Sequence, residues 1–166
     1  MTDIALALQA PYFDSADLVL ANGDLATDDG LETAVLISLL CRRRADADDA
    51  VPPGADRGGW WGDAYLPPLA DGSADYIGSK LWLDRNLEAT VANGNRILSH
   101  IREALAWMIS DGVAASIDVT GTWQSATSFA PVIEIAQIGT GGAAASRQFN
   151  LLWNTALGAL TQAGST

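Results

Sequence analysis

The sequence is short of the side chains on which most catalytic and metal sites depend. It contains one cysteine, Cys41, and one histidine, His100, in 166 residues. A single cysteine excludes an intramolecular disulfide, as is usual for proteins made in a reducing cytoplasm. A zinc site would need carboxylate ligands in addition, and a catalytic nucleophile needs a neighbouring base. We therefore predict no catalytic, metal or cofactor-binding residues, with His100 a packing or surface residue and Cys41 a small core residue.

Basic residues and long hydrophobic runs are also scarce. Nine Lys and Arg stand against twenty Asp and Glu, for a net charge of −11. Nucleic-acid binding needs a basic surface to neutralise phosphates, and an anionic membrane surface has the same requirement. The most apolar stretch, at 34–41, is interrupted by Ser38 and is far shorter than the ~20 residues that span a bilayer. We expect neither a nucleic acid nor a membrane as a partner.

Acidic residues are abundant, and two carboxylates are enough for glycoside hydrolysis. With twenty Asp and Glu in the chain, some pair is always available, so abundance alone selects no site. A glycan-active, lysozyme-like enzyme therefore stays open as an alternative to a structural protein.

The hydrophobic fraction of 49% is sufficient for one buried core in a chain of this length. Composition and proline placement predict three segments: an N-terminal arm at 1–17, a single α+β domain at 18–157 and a flexible tail at 158–166. At the start of the domain, Asn22-Gly23 predicts a tight hairpin turn, because both residues accept positive φ.

Apolar periodicity and helix-terminal residues predict three helices, which run from 31 to about 43, from 78 to about 85 and from about 90 to 110. Asp29 and Glu32 have the spacing of a capping box before the first helix, which the arginines at 42–44 are expected to close. The core face of the last helix is expected to hold Val91, Ile97, Ile101, Ala104, Leu105 and Met108. Residues 45–76 are predicted to form a long connection rich in proline and glycine. Connections of this length inside a compact domain usually have a function of their own, such as binding.

After Gly112 the hydrophobic period changes to two, which is typical of strands. Strands are predicted at 113–120, 132–138 and 147–153, with Val113, Ala115, Ile117 and Val119 on the dry face of the first. The fold class is therefore α+β: an antiparallel β-meander of three main strands plus an N-terminal hairpin, packed against two main helices.

Tryptophan is the one residue type present in unusual number, with six in the chain. Trp60 and Trp61 are adjacent between glycines in the long connection. Tryptophan is enriched at the energetic centres of protein interfaces, but it is also a frequent core anchor. We expect one ring in the core and one against a neighbour, and predict an interface at Arg57, Trp60, Trp61, Gly62 and Asp63. A small ligand-binding module built on the aromatic loop is a further alternative.

Three segments in this order carry a resemblance to a known family: Arg-Gly-Gly-Trp-Trp-Gly-Asp at 57–63, Gly-Ser-Lys-Leu-Trp-Leu at 78–83, and the helix-to-strand segment at 104–114. They resemble the Mu-like phage small baseplate protein family, which is similar to the gene-25-type baseplate wedge proteins of contractile tails. The resemblance covers about residues 18–155.

The resemblance implies a non-enzymatic wedge subunit in the tail baseplate of a virion. Such a subunit is present in several copies and contacts larger wedge proteins and the tail sheath or hub, with strand addition at a sheet edge as the expected mode of sheath contact. Many gene-25-type proteins carry Glu-Pro-Arg after the long helix. Here that position reads Asp-Gly-Val at 111–113, so the contact made by that motif does not carry over.

Overall fold

A computed structural model of the protein describes residues 3–8, 16–28, 30–69, 72, 74–138 and 145–162. Short strands form the N-terminal part: β1 (Asp3–Ile4), β2 (Leu6–Leu8), β3 (Ala16–Leu18), β4 (Leu20–Ala21), β5 (Asp24–Leu25) and β6 (Thr27–Asp28). They pair antiparallel as β1–β6, β2–β3 and β4–β5. The predicted hairpin is present, with Asn22 and Gly23 both at positive φ. The irregular arm predicted at 1–17 is wrong for its described residues, which all lie in β1, β2 and β3 except for Ala5 between the first two strands.

The first helix, α1 (Leu31–Leu40), begins where predicted, after Gly30 at a φ of 82°. The capping role predicted for Asp29 falls outside the described residues. The predicted helix end near Arg43 is wrong. Cys41 is already extended, and Arg42 forms a parallel bridge with Ser79. This tertiary pairing takes the backbone groups that continuation of the helix would have used, so the arginines at 42–44 follow the helix as extended chain.

The predicted long helix is divided into α2 (Val91–Leu105) and α3 (Trp107–Ser110). Thr90 caps α2 by accepting a hydrogen bond from the Asn93 amide at 3.2 Å. The core face is as predicted for Ile97, Ile101, Ala104, Leu105 and Met108, all of which are buried. Val91 is the exception: it is highly exposed, because it precedes Ile97 by six residues, a spacing that does not place two side chains on the same face of a helix.

The sheet consists of β7 (Ala114–Trp123), β8 (Ser128–Gln137), β9 (Ser146–Asn154) and β10 (Ala159–Gln162). The spatial order is β10-β9-β8-β7, and all pairs are antiparallel. The predicted meander and the α+β class are confirmed, with a fourth strand added. As far as residue 162, that strand contradicts the flexible tail predicted at 158–166: β10 pairs with β9, and its Leu160 is fully buried. The division of the chain into domains stays a prediction.

The dry face predicted for β7 is shifted by a β-bulge. The register moves between Ala114 and Ser116, so that Ala115 has no opposite partner. As a result Ala114 and Val119 are buried, whereas Val113 and Ala115 are exposed. A bulge inserts one residue into a strand and therefore reverses the alternation on one side of it.

The core lies between the sheet and the helices α1 and α2. Of the short helix predicted at 78–85, only a 3-10 turn at Leu81–Leu83 forms, and it buries Leu81 and Leu83. Over the residues of the long connection that the structure describes, the chain is irregular except for a 3-10 helix at Trp61–Tyr65. In the described ranges, no helix is long and apolar enough to cross a membrane.

Candidate interaction surface

The 3-10 helix of the long connection carries three large aromatic side chains to the surface. Trp61 is 78% exposed, Tyr65 82% and Trp60 38%. The rings are in mutual contact, with centroids 5.1 Å apart for Trp60 and Trp61 and 6.4 Å apart for Trp61 and Tyr65. We call these three residues the aromatic platform. An exposed group of this kind is unfavourable in water unless something covers it, which makes it a candidate contact site.

The turn that holds the platform is organised by Asp63 and Gly62. The Asp63 carboxylate accepts a hydrogen bond from the Trp60 amide at 2.9 Å and so stabilises the first turn of the 3-10 helix. The Trp60 ring lies directly over Gly62, which is buried, and a Cβ atom at position 62 would overlap that ring. The expectation that one tryptophan anchors the core is therefore wrong, because Trp60 covers its own turn and Trp61 projects outward.

Bonds to neighbouring segments hold the aromatic turn in place. The Ala45 amide donates to the Arg57 carbonyl at 2.7 Å, and the Gly59 amide donates to the Arg42 carbonyl at 3.2 Å. The Arg57 guanidinium donates to the Asp46 and Ala47 carbonyls at 2.8 and 2.7 Å. The turn is therefore a fixed projection of the molecule.

The structure gives the five predicted interface residues different roles. Trp60 and Trp61 expose ring surface, whereas Gly62, Asp63 and Arg57 support the turn from within. Tyr65 completes the platform but was not predicted. Its one sequence signal is that it is a further large aromatic residue, four positions after Trp61. The interface role of all five residues stays a prediction.

The same connection is also held by ion pairs to Lys80, whose side chain is only 8% exposed. Its ammonium contacts the Asp46 carboxylate. It also lies 3.1 Å from a carboxylate oxygen of Asp49 and 3.5 Å from one of Glu103 on α2. Burial opposes the charge on Lys80, but the hydrogen bonds to Asp46 and Asp49 outweigh it and raise the Lys80 pKa. Burial likewise opposes charge on Asp49, but bonds from the Asp46 amide and Lys80 lower its pKa.

A second charged group joins the 3-10 turn at Leu81–Leu83 to α2. Asp84 is fully buried and lies 2.6 Å from His100 and 2.8 Å from Arg96. The inaccessible carboxylate and the partly buried His100 ring make this a structural group, in line with the packing role predicted for His100.

Cys41 is half-buried rather than in the core, and burial, together with the charge of Asp63, raises the pKa of its thiol. The neutral thiol is therefore favoured at neutral pH. Among the residues that the structure describes, no group of three or more His, Cys, Asp or Glu side chains is placed to hold a metal ion.

Fold and surface together define an α+β protein with a fixed, exposed aromatic projection. The family model described as Phage protein GP46 matches residues 31–142, and the chain belongs to this family of Mu-like phage baseplate proteins. The chain is 38% identical to the baseplate protein gp46 of Escherichia phage Mu over 120 residues, which are 72% of the chain and 76% of that relative. It is 29% identical to the Mu-like prophage FluMu protein gp46 of Haemophilus influenzae over 154 residues, 93% of the chain and 99% of that relative. The resemblance seen in the three sequence segments is confirmed.

Proposed function

We propose that the chain is a wedge subunit of the baseplate that binds larger wedge proteins and the tail sheath or hub, and that the aromatic platform is one of its contacts. The coarser function, a structural role in the tail baseplate of the virion, follows from membership of the family. The finer assignment is supported chiefly by the exposure of Trp61 and Tyr65 on a fixed turn.

The energetics favour a protein contact at this surface. Aromatic side chains bury about 150–250 Å² each when covered, and aromatic residues at the centre of an interface often contribute ~2 kcal/mol or more. Since internal bonds already hold the turn around Trp61, little conformational entropy is lost when a partner binds. A mobile loop with the same side chains would bind more weakly.

A sheet edge supplies a second contact that suits the tail sheath. β7 is an outer strand of the sheet and is ten residues long, whereas the opposite edge, β10, has four residues. A long outer strand can pair with an extended segment of another protein through main-chain hydrogen bonds. We therefore assign the sheath contact to β7 and the wedge contact to the platform, in each of several copies around the hub.

The platform is tested by the paired substitution Trp61→Ala, Tyr65→Ala. Because both side chains lie mostly in solvent, we expect the melting temperature of the isolated protein to change little, while the amount of the chain that sediments with assembled tails falls at least tenfold. A change of that size corresponds to about 1.4 kcal/mol in binding. Quantitative immunoblotting of gradient-purified tails from a complemented deletion strain measures it.

Val91→Ala is the matched control, because Val91 is equally exposed but lies at the start of α2. It should enter tails like the wild type. Normal entry of the double variant would remove the platform from the interface and leave the structural role in the baseplate intact.

A further inference from the structure

A groove of about 680 Å³ lies between α1 and α3 and is separate from the aromatic platform. Its apolar lining comes from α1, from α3, from the end of α2 and from the chain between α1 and α2: Ala34, Ile37, Leu69, Ile77, Ala104 and Trp107. The Trp107 indole donates a hydrogen bond to the Ser38 hydroxyl at 3.0 Å, which fixes this ring between the two helices. Ile37, Leu69 and Trp107 all remain substantially exposed, so the groove offers apolar area that is open to a partner.

The rim of the groove is acidic. Four acidic residues are among those that line it, namely Asp3, Asp75, Glu103 and Asp111, and Asp3 and Asp111 are exposed. Among the described residues that line the groove, the one basic side chain is Arg43. Its guanidinium is engaged within the molecule, 3.6 Å from Glu103 and donating to the Tyr76 carbonyl at 3.3 Å. The groove therefore presents an apolar floor within a negative border.

We propose that this groove binds an amphipathic segment of a neighbouring baseplate subunit, in which apolar side chains flanked by lysine or arginine lie on Ile37 and Trp107. The basic side chains face the rim carboxylates of Asp3, Asp75 and Asp111. The inference rests on the proposed function, because the partner is another subunit of the same baseplate.

Charge complementarity selects this occupant over the others. A purely apolar segment would remove water from the rim carboxylates without replacing their hydrogen bonds. A second copy of the chain, with a net charge of −11, would place like charges together and be repelled. Apolar contact supplies most of the affinity, while the basic border sets orientation and specificity.

Photo-cross-linking in assembled tails tests the proposal. The photoreactive residue p-benzoylphenylalanine replaces Ile37 in one protein and, as the matched control, Val91 in another. Tails that contain either protein are purified, irradiated and digested, and the cross-linked peptides are sequenced by mass spectrometry. We expect position 37 to label one segment of another tail protein that has apolar residues bordered by Lys or Arg, and position 91 not to label that segment.

Removal of the rim charge provides a second readout. In the Asp75→Asn, Asp111→Asn protein, the cross-link yield at position 37 should fall roughly threefold or more, since rim charges mainly affect association. Asp24→Asn, at the hairpin turn, removes an exposed carboxylate outside the groove and should leave the yield unchanged.

Three results would overturn the proposal: labelling of a segment without basic residues, cross-links confined to the chain itself, or a yield indifferent to the rim charges. Entry of the photoreactive proteins into tails is scored separately and tests the proposed function. If the wild-type chain itself did not sediment with tails, both conclusions would fall together, whereas normal entry with a wrong cross-link would reject the groove alone.

Discussion

At the scale of single residues, the absence of a side chain at Gly62 allows the Trp60 ring to lie directly over this position. In Gly62→Ala the new methyl group would overlap the ring, so the ring must move into solvent and the turn must adjust. Overpacking of this kind usually costs about 1–3 kcal/mol. We expect Gly62→Ala to lower the free energy of unfolding by an amount in that range, as measured by urea denaturation.

A double-mutant cycle gives the control for this prediction. In a Trp60→Ala background the obstructing ring is gone, so Gly62→Ala should cost close to nothing. The coupling between the two positions should therefore be about 1 kcal/mol or more. Equal costs in the two backgrounds would show that Trp60 does not rest on Gly62.

The sequence shows two tryptophans between glycines at 58–62, but the role of each residue there depends on hydrogen bonds to distant parts of the chain. Glycines beside two tryptophans suggest a tight turn, and that much could be predicted. Arg57 accepts a hydrogen bond from the Ala45 amide and donates hydrogen bonds to the Asp46 and Ala47 carbonyls. No local sequence pattern indicates these bonds. Without those bonds the rings would have no defined direction, which is why the outward direction of Trp61 and the place of Tyr65 were not foreseen.

At the level of secondary-structure elements, β10 is the test case, because the sequence predicted a flexible tail where the structure has a strand. Leu160 on β10 is fully buried, whereas Leu157, three residues earlier, is exposed. We expect Leu160→Ala to lower the free energy of unfolding by about 2–5 kcal/mol, as is usual for buried leucines. Chemical denaturation measures the difference.

Leu157→Ala is the matched control and should change stability by no more than about 0.5 kcal/mol, since its side chain is on the surface. If Leu160→Ala left the free energy of unfolding unchanged, residues 159–162 would be as flexible as the sequence predicted. Loss of stability in both variants to the same degree would point to the turn before β10 rather than to the core.

Elements with a long periodic pattern of apolar residues could be predicted from the sequence. Elements that depend on contact with a distant segment of the same chain could not. The buried face of α2 repeats over about three turns, so its position and most of its core residues were predicted. β10 has four residues and owes its conformation to pairing with β9. The end of α1 and the bulge in β7 likewise depend on Ser79 and on β8, which lie far away in the sequence.

Across the whole molecule, the ion pairs around Lys80 make stability depend on pH. The pKa of Asp49 is lower in the folded protein, so its contribution is fully present above its ordinary value of about 4 and is lost as the pH falls through the depressed folded value. The pKa of Lys80 is raised, so its contribution is present below its ordinary value of about 10.5 and is lost only as the pH rises through the higher folded value.

The Asp49→Asn protein isolates the acid side of this dependence. At pH 7 it should be less stable than the wild type by about 1–3 kcal/mol, the usual contribution of hydrogen bonds to charged groups. Once the pH is below the depressed folded pKa of Asp49, the two proteins should converge, because the wild-type carboxyl is then neutral as well. Urea unfolding at several pH values measures the difference, and the exposed neighbour in Asp48→Asn serves as the control. A gap that persists in acid would assign the effect to packing.

The acidic excess was visible in the composition, but its distribution over the surface was not. The rim of the groove takes Asp3 from β1, Asp75 from the long connection and Asp111 from the end of α3. These residues come together only when α1 and α3 are adjacent. Composition therefore predicted which partners to exclude, and the fold was needed to indicate where a basic partner would bind.

The setting of Lys80 has a consequence for experiments on intact particles. It is the one lysine of the sequence, and its amine lies under carboxylates with almost no exposed surface. Reagents that join lysines across subunit boundaries would find no accessible side-chain amine on this subunit. A proximity map of the tail based on lysine side chains would therefore record no cross-link through a side-chain amine of this protein. Carboxylate-directed or light-activated reagents are better suited to record its contacts.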